Sequence, residues 1–376
     1  MIFLLLLVPV IAAVIFWFCY YTDDEIFKKI IFIIGIPWVI FFVVYALCKC
    51  YVGYSTEYYG SYVTQITYYE PWNEEVTVTK TRTYTDSDGK EHEETYTTTE
   101  IEYHSAKYTY KSNTEDYEHS ISQDFYQRIQ NRLKTKPIYK DMHRDYYTND
   151  GDAYITTYDN VDTHMYTMTD QHSYRNPIKA NPYTILGYTK ISKEKADSLG
   201  LYEYPKINYD NYDQSPIIGI KIPYWQEHQI RVLNARYGQS KQFRMYILLF
   251  KNKKPEIAEY QKSYWYQGNK NELTICLGIK GDSVTWCRGF SWSDKPILEI
   301  KSRDYFIKHP KLNLYEYGKF IESNLKYWKR KEFKDFNYIS IDLTKGQSIL
   351  ISILTILFTI IVIVYHIAVI NESKKY

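Results

Sequence analysis

Cysteine is scarce in this chain, with five among 376 residues, and its placement narrows the chemistry further. Cys19, Cys48 and Cys50 lie in or beside apolar stretches, leaving Cys276 and Cys287 for the rest of the chain. A zinc-spaced Cys/His set, an HExxH helix, a Gly-rich phosphate loop and a serine nucleophile elbow are all lacking. These absences weigh against an enzyme without excluding one, because metal-assisted hydrolysis needs only scattered carboxylates. An excess of one charge is lacking as well. The 46 basic residues nearly balance 44 acidic ones, for a net charge of +2, so no basic field argues for nucleic acid.

Three uncharged apolar stretches are present, residues 2–20, 30–47 and 349–370. Each is long enough to cross a hydrocarbon layer of roughly 30 Å. The first stretch lacks a basic n-region and a small-residue cleavage site and runs nearly straight into the second, so it reads as a retained helix. The expected class is a multi-pass, membrane-anchored α+β protein. It has a helical hairpin at 1–49, a β-rich Tyr/Thr region at 50–214, a small α/β layer domain at 215–346, a third transmembrane helix at 347–370 and a tail at 371–376. Apart from Tyr and Cys, only His366 is ionisable within the spans, which points to anchorage in the lipid bilayer and away from transport. Lys28, Lys29, Lys374 and Lys375 lie in short segments, and the positive-inside rule then places the large domain outside the cytoplasm. Lys49, Lys345 and the basic cluster at 326–334 pull the other way.

The 43 tyrosines admit two explanations. Tyr, Lys, Ile and Asn are abundant together, as in an A+T-biased coding sequence, and Tyr is an ordinary half-buried strand residue. The alternative is a dedicated aromatic binding surface. Alternation of Thr, Tyr and Val at 54–110 predicts strands. An Asp88-Gly89 type I′ turn would pair Val76 with Ile101 and Val78 with Thr99 in a projecting hairpin. Helices are expected at 122–133, 193–199, 225–237, 256–266 and 314–330, with a buried strand at 243–250, a hairpin at 273–290 and a strand at 297–300. In that hairpin a Gly281-Asp282 turn sets Cys276 opposite Cys287. That leaves a cross-strand disulfide in an oxidising compartment, or two packed thiols.

Two constellations carry candidate chemistry. Asp141, His143 and Asp145 alternate along one strand face, and Asp150 and Asp152 follow a turn later. Such a set can hold a divalent metal or serve acid–base chemistry, or simply form a salt-linked polar face with Arg144 and Lys140. The second runs from Trp265 through Gly268, Asn269, Lys270, Asn271 and Glu272. Gly and Asn there suit a helix exit, and Lys270 with Glu272 offers a ligand or interaction site.

Glu57-Tyr58-Tyr59-Gly60, Tyr68-Tyr69-Glu70-Pro71-Trp72-Asn73-Glu74, Lys140-Asp141-Met142-His143-Arg144 and Gly268-Asn269-Lys270-Asn271-Glu272 together resemble a family of uncharacterised multi-pass membrane proteins of bacteria and their phages. The resemblance spans nearly the whole chain and implies no particular activity. Members carry extra cysteines after the opening motif, where this chain has none at 77–99, which argues against an essential metal or disulfide in that ribbon. Residues 243–290 are also similar in element order to the TPM domain. That implies an extracytoplasmic module beside an anchor, in some members a metal-dependent phosphatase, although the acidic residues of that domain do not map onto this chain. The readings that follow are a non-catalytic interaction or envelope-maintenance protein that binds another membrane or envelope protein or an envelope polymer, a metal-dependent hydrolase, or a subunit of a larger membrane complex.

Overall fold

The structure, a computed structural model, describes residues 2–142, 151–158, 165–177, 190–206, 214–336, 339 and 342–373. The chain forms two compact units. One comprises residues 1–56, 173–190 and 332–376; the other comprises 57–172 and 191–331.

The first unit contains three helices long and apolar enough to cross a membrane. A 3-10 turn (Ile2–Leu6) leads into α1 (Leu7–Tyr20), and α2 (Ile26–Tyr51) follows. The third apolar helix runs Lys345–Ser373. They meet along a narrow seam of Ala13, Phe16, Ile26, Ile33, Val362 and Ile370, while Phe18, Phe27, Ile31 and Val364 point outward. A helix apolar all round with only a thin packed seam suits hydrocarbon as its solvent. In the tight connection Lys29 reaches back to Asp23 at 2.7 Å. Thr355 and Thr359 donate to carbonyls one turn earlier, at 2.8 Å each, so these hydroxyls are satisfied within the helix.

The second unit begins in β1 (Tyr54–Tyr69). After Glu70-Pro71 the chain runs out along β2 (Trp72–Thr85) and back along β3 (Glu91–His104), then returns in β4 (Lys107–Ser112) to pair with β1. Among the described residues β2 and β3 pair only with each other, and nearly all their side chains are exposed. The projecting hairpin is therefore present, but its register differs by one from the expected one. Asp86 accepts amides from Asp88 and Lys90 at 3.0 Å, and Gly89 sits at φ +77°. This makes a three-residue loop with a glycine bulge in place of a two-residue turn. Val76 consequently faces Glu100, and Thr77, Thr79 and Thr81 face Thr99, Thr97 and Thr95. A one-residue slip carries a whole strand's side chains to the other face.

β5 (His119–Ser120), β6 (Ile138–Lys140), β7 (Ala153–Thr157) and β8 (Thr167–Arg175) complete a six-stranded sheet with β1 and β4. Over it lies α3 (Gln123–Leu133), capped by the Ser122 hydroxyl, which accepts from the Phe125 amide. Its four-residue ladder of Phe125, Ile129 and Leu133 packs on Ile66 and Tyr110, as the periodicity predicts.

The remainder is a three-layer α/β arrangement. After α4 (Lys193–Leu199), ended by Gly200 at φ +73°, come β9 (Ile217–Ile218), α5 (Tyr224–Tyr237), β10 (Arg244–Lys251), α6 (Ile257–Tyr264), β11 (Glu272–Lys280) and β12 (Ser283–Ser291). Strand order is β12-β11-β10-β9, parallel except for β12. Along β10, Met245, Ile247 and Leu249 enter one core while Tyr246, Leu248 and Phe250 enter the other, which is why the run is apolar without interruption.

Three sequence expectations are corrected here. Residues 297–300 are not a strand but the start of α7 (Ile297–Lys308), because Leu298, Ser302 and Phe306 form one buried stripe at four-residue steps. The helix expected at 314–330 ends as α8 (Leu314–Asn324), followed by a 3-10 turn at Leu325–Tyr327; the chain straightens from Trp328, and Arg330 bridges to Ser293. In the β11–β12 hairpin an extra residue, Thr285, forms a bulge, so Cys276 faces Arg288 and Cys287 faces Leu277. The two cysteines are free and lie in different cores, Cys276 with Tyr246 and Phe250, Cys287 with Leu298 and Tyr317. Burial pushes both thiols up, Cys287 to about 12.

Candidate functional site

The sites expected from sequence separate into three parts. Of the carboxylate–histidine set, His143, Asp145 and Asp150 lie outside the described residues. Asp141 is exposed on the chain after β6. Asp152 accepts from the Tyr139 hydroxyl at 2.7 Å and from the Met142 amide at 3.1 Å, so it organises the end of that strand. Among the described residues no group of three His, Cys, Asp or Glu is placed to hold a metal.

The segment 265–272 is a tight junction between α6 and β11. Tyr266, Gln267 and Gly268 take consecutive left-handed conformations, at φ +51°, +64° and +75°, which turn the chain sharply out of the helix. Trp265 donates its indole N–H to the Tyr202 carbonyl at 2.7 Å. Glu272, fully buried, accepts the Asn269 amide at 2.8 Å and the Tyr204 hydroxyl. Asn271 donates to the Tyr58 carbonyl at 2.7 Å. Most of this constellation therefore builds the fold. Lys270 is different, since it points to a second carboxylate.

That carboxylate is Glu57, which is fully buried. Its Oε1 accepts from the Tyr59 hydroxyl, lies 3.2 Å from His172 Nδ1 and 3.7 Å from Lys270 Nζ. Its Oε2 accepts from Arg330 Nη1 at 3.3 Å. Burial lowers the Lys270 ammonium, partly offset by the Glu57 charge, and Arg330 lowers it further. Burial, and then the Glu57 carboxylate, raise the Tyr59 phenol. The cluster joins β1, the α6–β11 junction and the straightened chain after α8. Beside it, Gly60 and Gly238 let β1 pack closely on α5. A methyl group on Gly60 would overlap the Asn234 backbone, and one on Gly238 would overlap Gly60 itself. The sequence marks Lys270, but the local pattern around Glu57 and Arg330 gives no sign that they meet.

The third part is a groove, and it was expected only in the general form of an aromatic surface. Strand register aligns Tyr108 of β4, Tyr68 of β1, Tyr154 of β7 and Tyr139 of β6 in one row across the sheet. Tyr68 stacks on Tyr108 with ring centroids 5.1 Å apart and on Tyr154 at 5.7 Å, both pairs tilted by 23°. Neighbouring strands are about 4.8 Å apart, so rings stacked along that direction meet the groove with edges and phenolic oxygens. The row runs past the edge of α3, leaving a cavity of about 340 Å3. Tyr126, Gln123, Gln127 and Gln130 line it from the helix, and Glu70 and Pro137 also belong to the lining. Its volume falls within the roughly 300–1,000 Å3 of small-ligand sites.

The polar groups of this groove are unevenly engaged. Tyr154 donates to Glu70 Oε1 at 3.0 Å, and that bond raises its phenol. The hydroxyls of Tyr68, Tyr108 and Tyr126 and the three carboxamides make no hydrogen bond within the protein among the described residues. Tyr126 is only 5 % exposed, and burial, followed by the Tyr108 and Tyr68 phenols, pushes its pKa up and so opposes its ionisation. Among the described residues no lysine, arginine or histidine lines the cavity.

Comparison with protein-family models, with curated proteins and with solved structures finds no match to this chain.

Proposed function

We propose that this protein is a membrane-tethered, non-catalytic binding protein whose second unit takes a ligand in the tyrosine–glutamine groove, on the extracytoplasmic side. The observation that carries the reading is the set of three phenols and three carboxamides that line one cavity without hydrogen-bond partners among the described residues. A ligand that pairs these groups exchanges their water for direct hydrogen bonds, each with a net gain of about 0.5–1.5 kcal/mol. Among the described lining residues the carboxylate is Glu70, which accepts from the Tyr154 hydroxyl. The three apolar helices supply the tether, and the Glu57 cluster holds the binding unit rigid.

The test is surface plasmon resonance on the full chain in lipid nanodiscs, with uncharged oligosaccharides, proline-rich peptides and sugar phosphates as probes. Saturable binding of one class, weakened at least tenfold by the Gln127→Ala/Tyr68→Ala pair, is expected. Absence of saturable binding by every class, or binding that this double variant leaves unchanged, overturns the reading.

A further inference from the structure

Resting on the binding reading above, we infer that the groove takes an uncharged oligosaccharide. The argument begins with what lines it. Gln123, Gln127 and Gln130 project from one face of α3 at spacings of three and four residues, so their carboxamides form a file along one wall. Each carboxamide both donates and accepts, and each phenol of Tyr68, Tyr108 and Tyr126 does the same. A lining of neutral groups that all donate and accept is complementary to a ligand whose own groups do both. Sugar hydroxyls are that chemistry, and an acetamido substituent extends it.

Electrostatics narrows the class. Among the described residues the lining holds no cation, and its single charge is the Glu70 carboxylate. A phosphate, sulfate or uronic acid would have to sit beside a like charge with no counter-ion among the described lining residues, which is unfavourable. Nucleic acid and anionic polymers are thereby selected against. The tyrosine row contributes shape as well as hydrogen bonds. Stacked rings have low conformational freedom and present a rigid, amphipathic edge, so the C–H faces of a pyranose meet apolar ring edges while its hydroxyls meet phenolic oxygens and amides. A proline-rich peptide is the competing occupant for an aromatic groove. It carries carbonyl acceptors but few donors, so the acceptor half of every glutamine would remain unsatisfied on binding.

The experiment is isothermal titration calorimetry on the full chain in nanodiscs, with no glycoside detergent present. The probes are tetramers of β-1,4-linked glucose, α-1,4-linked glucose and β-1,4-linked N-acetylglucosamine, a tetragalacturonate as the anionic counterpart, and a proline-rich decapeptide. At least one uncharged tetramer is expected to bind. Its affinity should fall at least tenfold in Gln127→Ala and in Gln123→Ala, both at exposed positions that leave the fold intact, and several-fold in Tyr108→Phe, which removes only a hydroxyl. Glu91→Gln, on the distant ribbon, should bind like the parent. Failure of all three uncharged tetramers, or equal binding of the galacturonate, overturns the inference. Gln127-sensitive binding of the peptide alone overturns it too, while leaving the binding reading standing. Silence from every probe overturns both.

Discussion

Glu57 and Arg330 stand 273 positions apart in the chain, yet their side chains meet at 3.3 Å, with the carboxylate fully buried. β1 carries the first, and the straightened segment after α8 carries the second. The pair, with Lys270 between the same elements, joins the tyrosine-rich sheet to the α/β layers within one unit.

Glu57→Gln keeps the shape of the side chain but leaves Lys270 and Arg330 beside a neutral amide. Removing one partner of a buried charge cluster costs about 3–5 kcal/mol, so a large fall in the midpoint of thermal or urea unfolding is expected. Arg330→Gln should cost less, because its side chain is 21 % exposed. The double variant should be less destabilised than the sum of the two, which a mutant cycle measures directly.

Lys270 gives a pH test. Its folded value lies below the ordinary 10.5, chiefly through burial. A depressed value means that its contribution to stability is present above the unfolded value and is lost as pH falls through the folded one. This group alone therefore makes the protein more stable as pH rises between the two. NMR of reductively methylated lysines should show one resonance titrating below the others. Glu57→Gln should move it lower still, since the carboxylate favours the ammonium. A Lys270 resonance that titrates with the surface lysines would contradict this arrangement.

Gly60→Ala is expected to be strongly destabilising, because the added methyl meets the Asn234 backbone and not a movable side chain. Overpacking of this kind costs typically 1–3 kcal/mol. Gly89→Ala, at the ribbon tip, meets open space, and only its φ of +77° opposes it, at roughly 1 kcal/mol. Comparing the two unfolding midpoints separates close packing from backbone conformation.

Cys276 and Cys287 should be inert to an aromatic disulfide reagent in the folded chain and react fully after unfolding. They are 0 % and 6 % exposed, and only the thiolate is nucleophilic. Mass spectrometry without reductant should show both alkylated after denaturation in iodoacetamide. A two-hydrogen mass deficit linking them would overturn the bulged register at Thr285.

Several elements were legible from local pattern. Ser122 before a four-residue apolar ladder, and Gly200 after a short helix, mark helix ends through hydrogen bonds that span only a few residues. The strand 273–279 and its Gly281-Asp282 turn are local too. The register beyond Thr285 is not, because a bulge is stabilised by what lies on each face of the sheet. The 297–300 segment misled for a similar reason. Its three apolar residues suit a strand until the buried stripe through Ser302 and Phe306 is counted.

The groove shows the same division. Each tyrosine in the row is an ordinary strand residue in its own segment, and nothing near Tyr68 tells that Tyr108 and Tyr154 will flank it. By itself the sequence determined the three apolar helices, the amphipathic face of α3 and the runs that become strands, since those follow from chain-local periodicity and the solvent each face meets. Only the tertiary structure decided which strands are neighbours and in what register. That choice, made by long-range packing across β4, β1, β7 and β6, is what turns scattered tyrosines into a groove and brings Arg330 to Glu57.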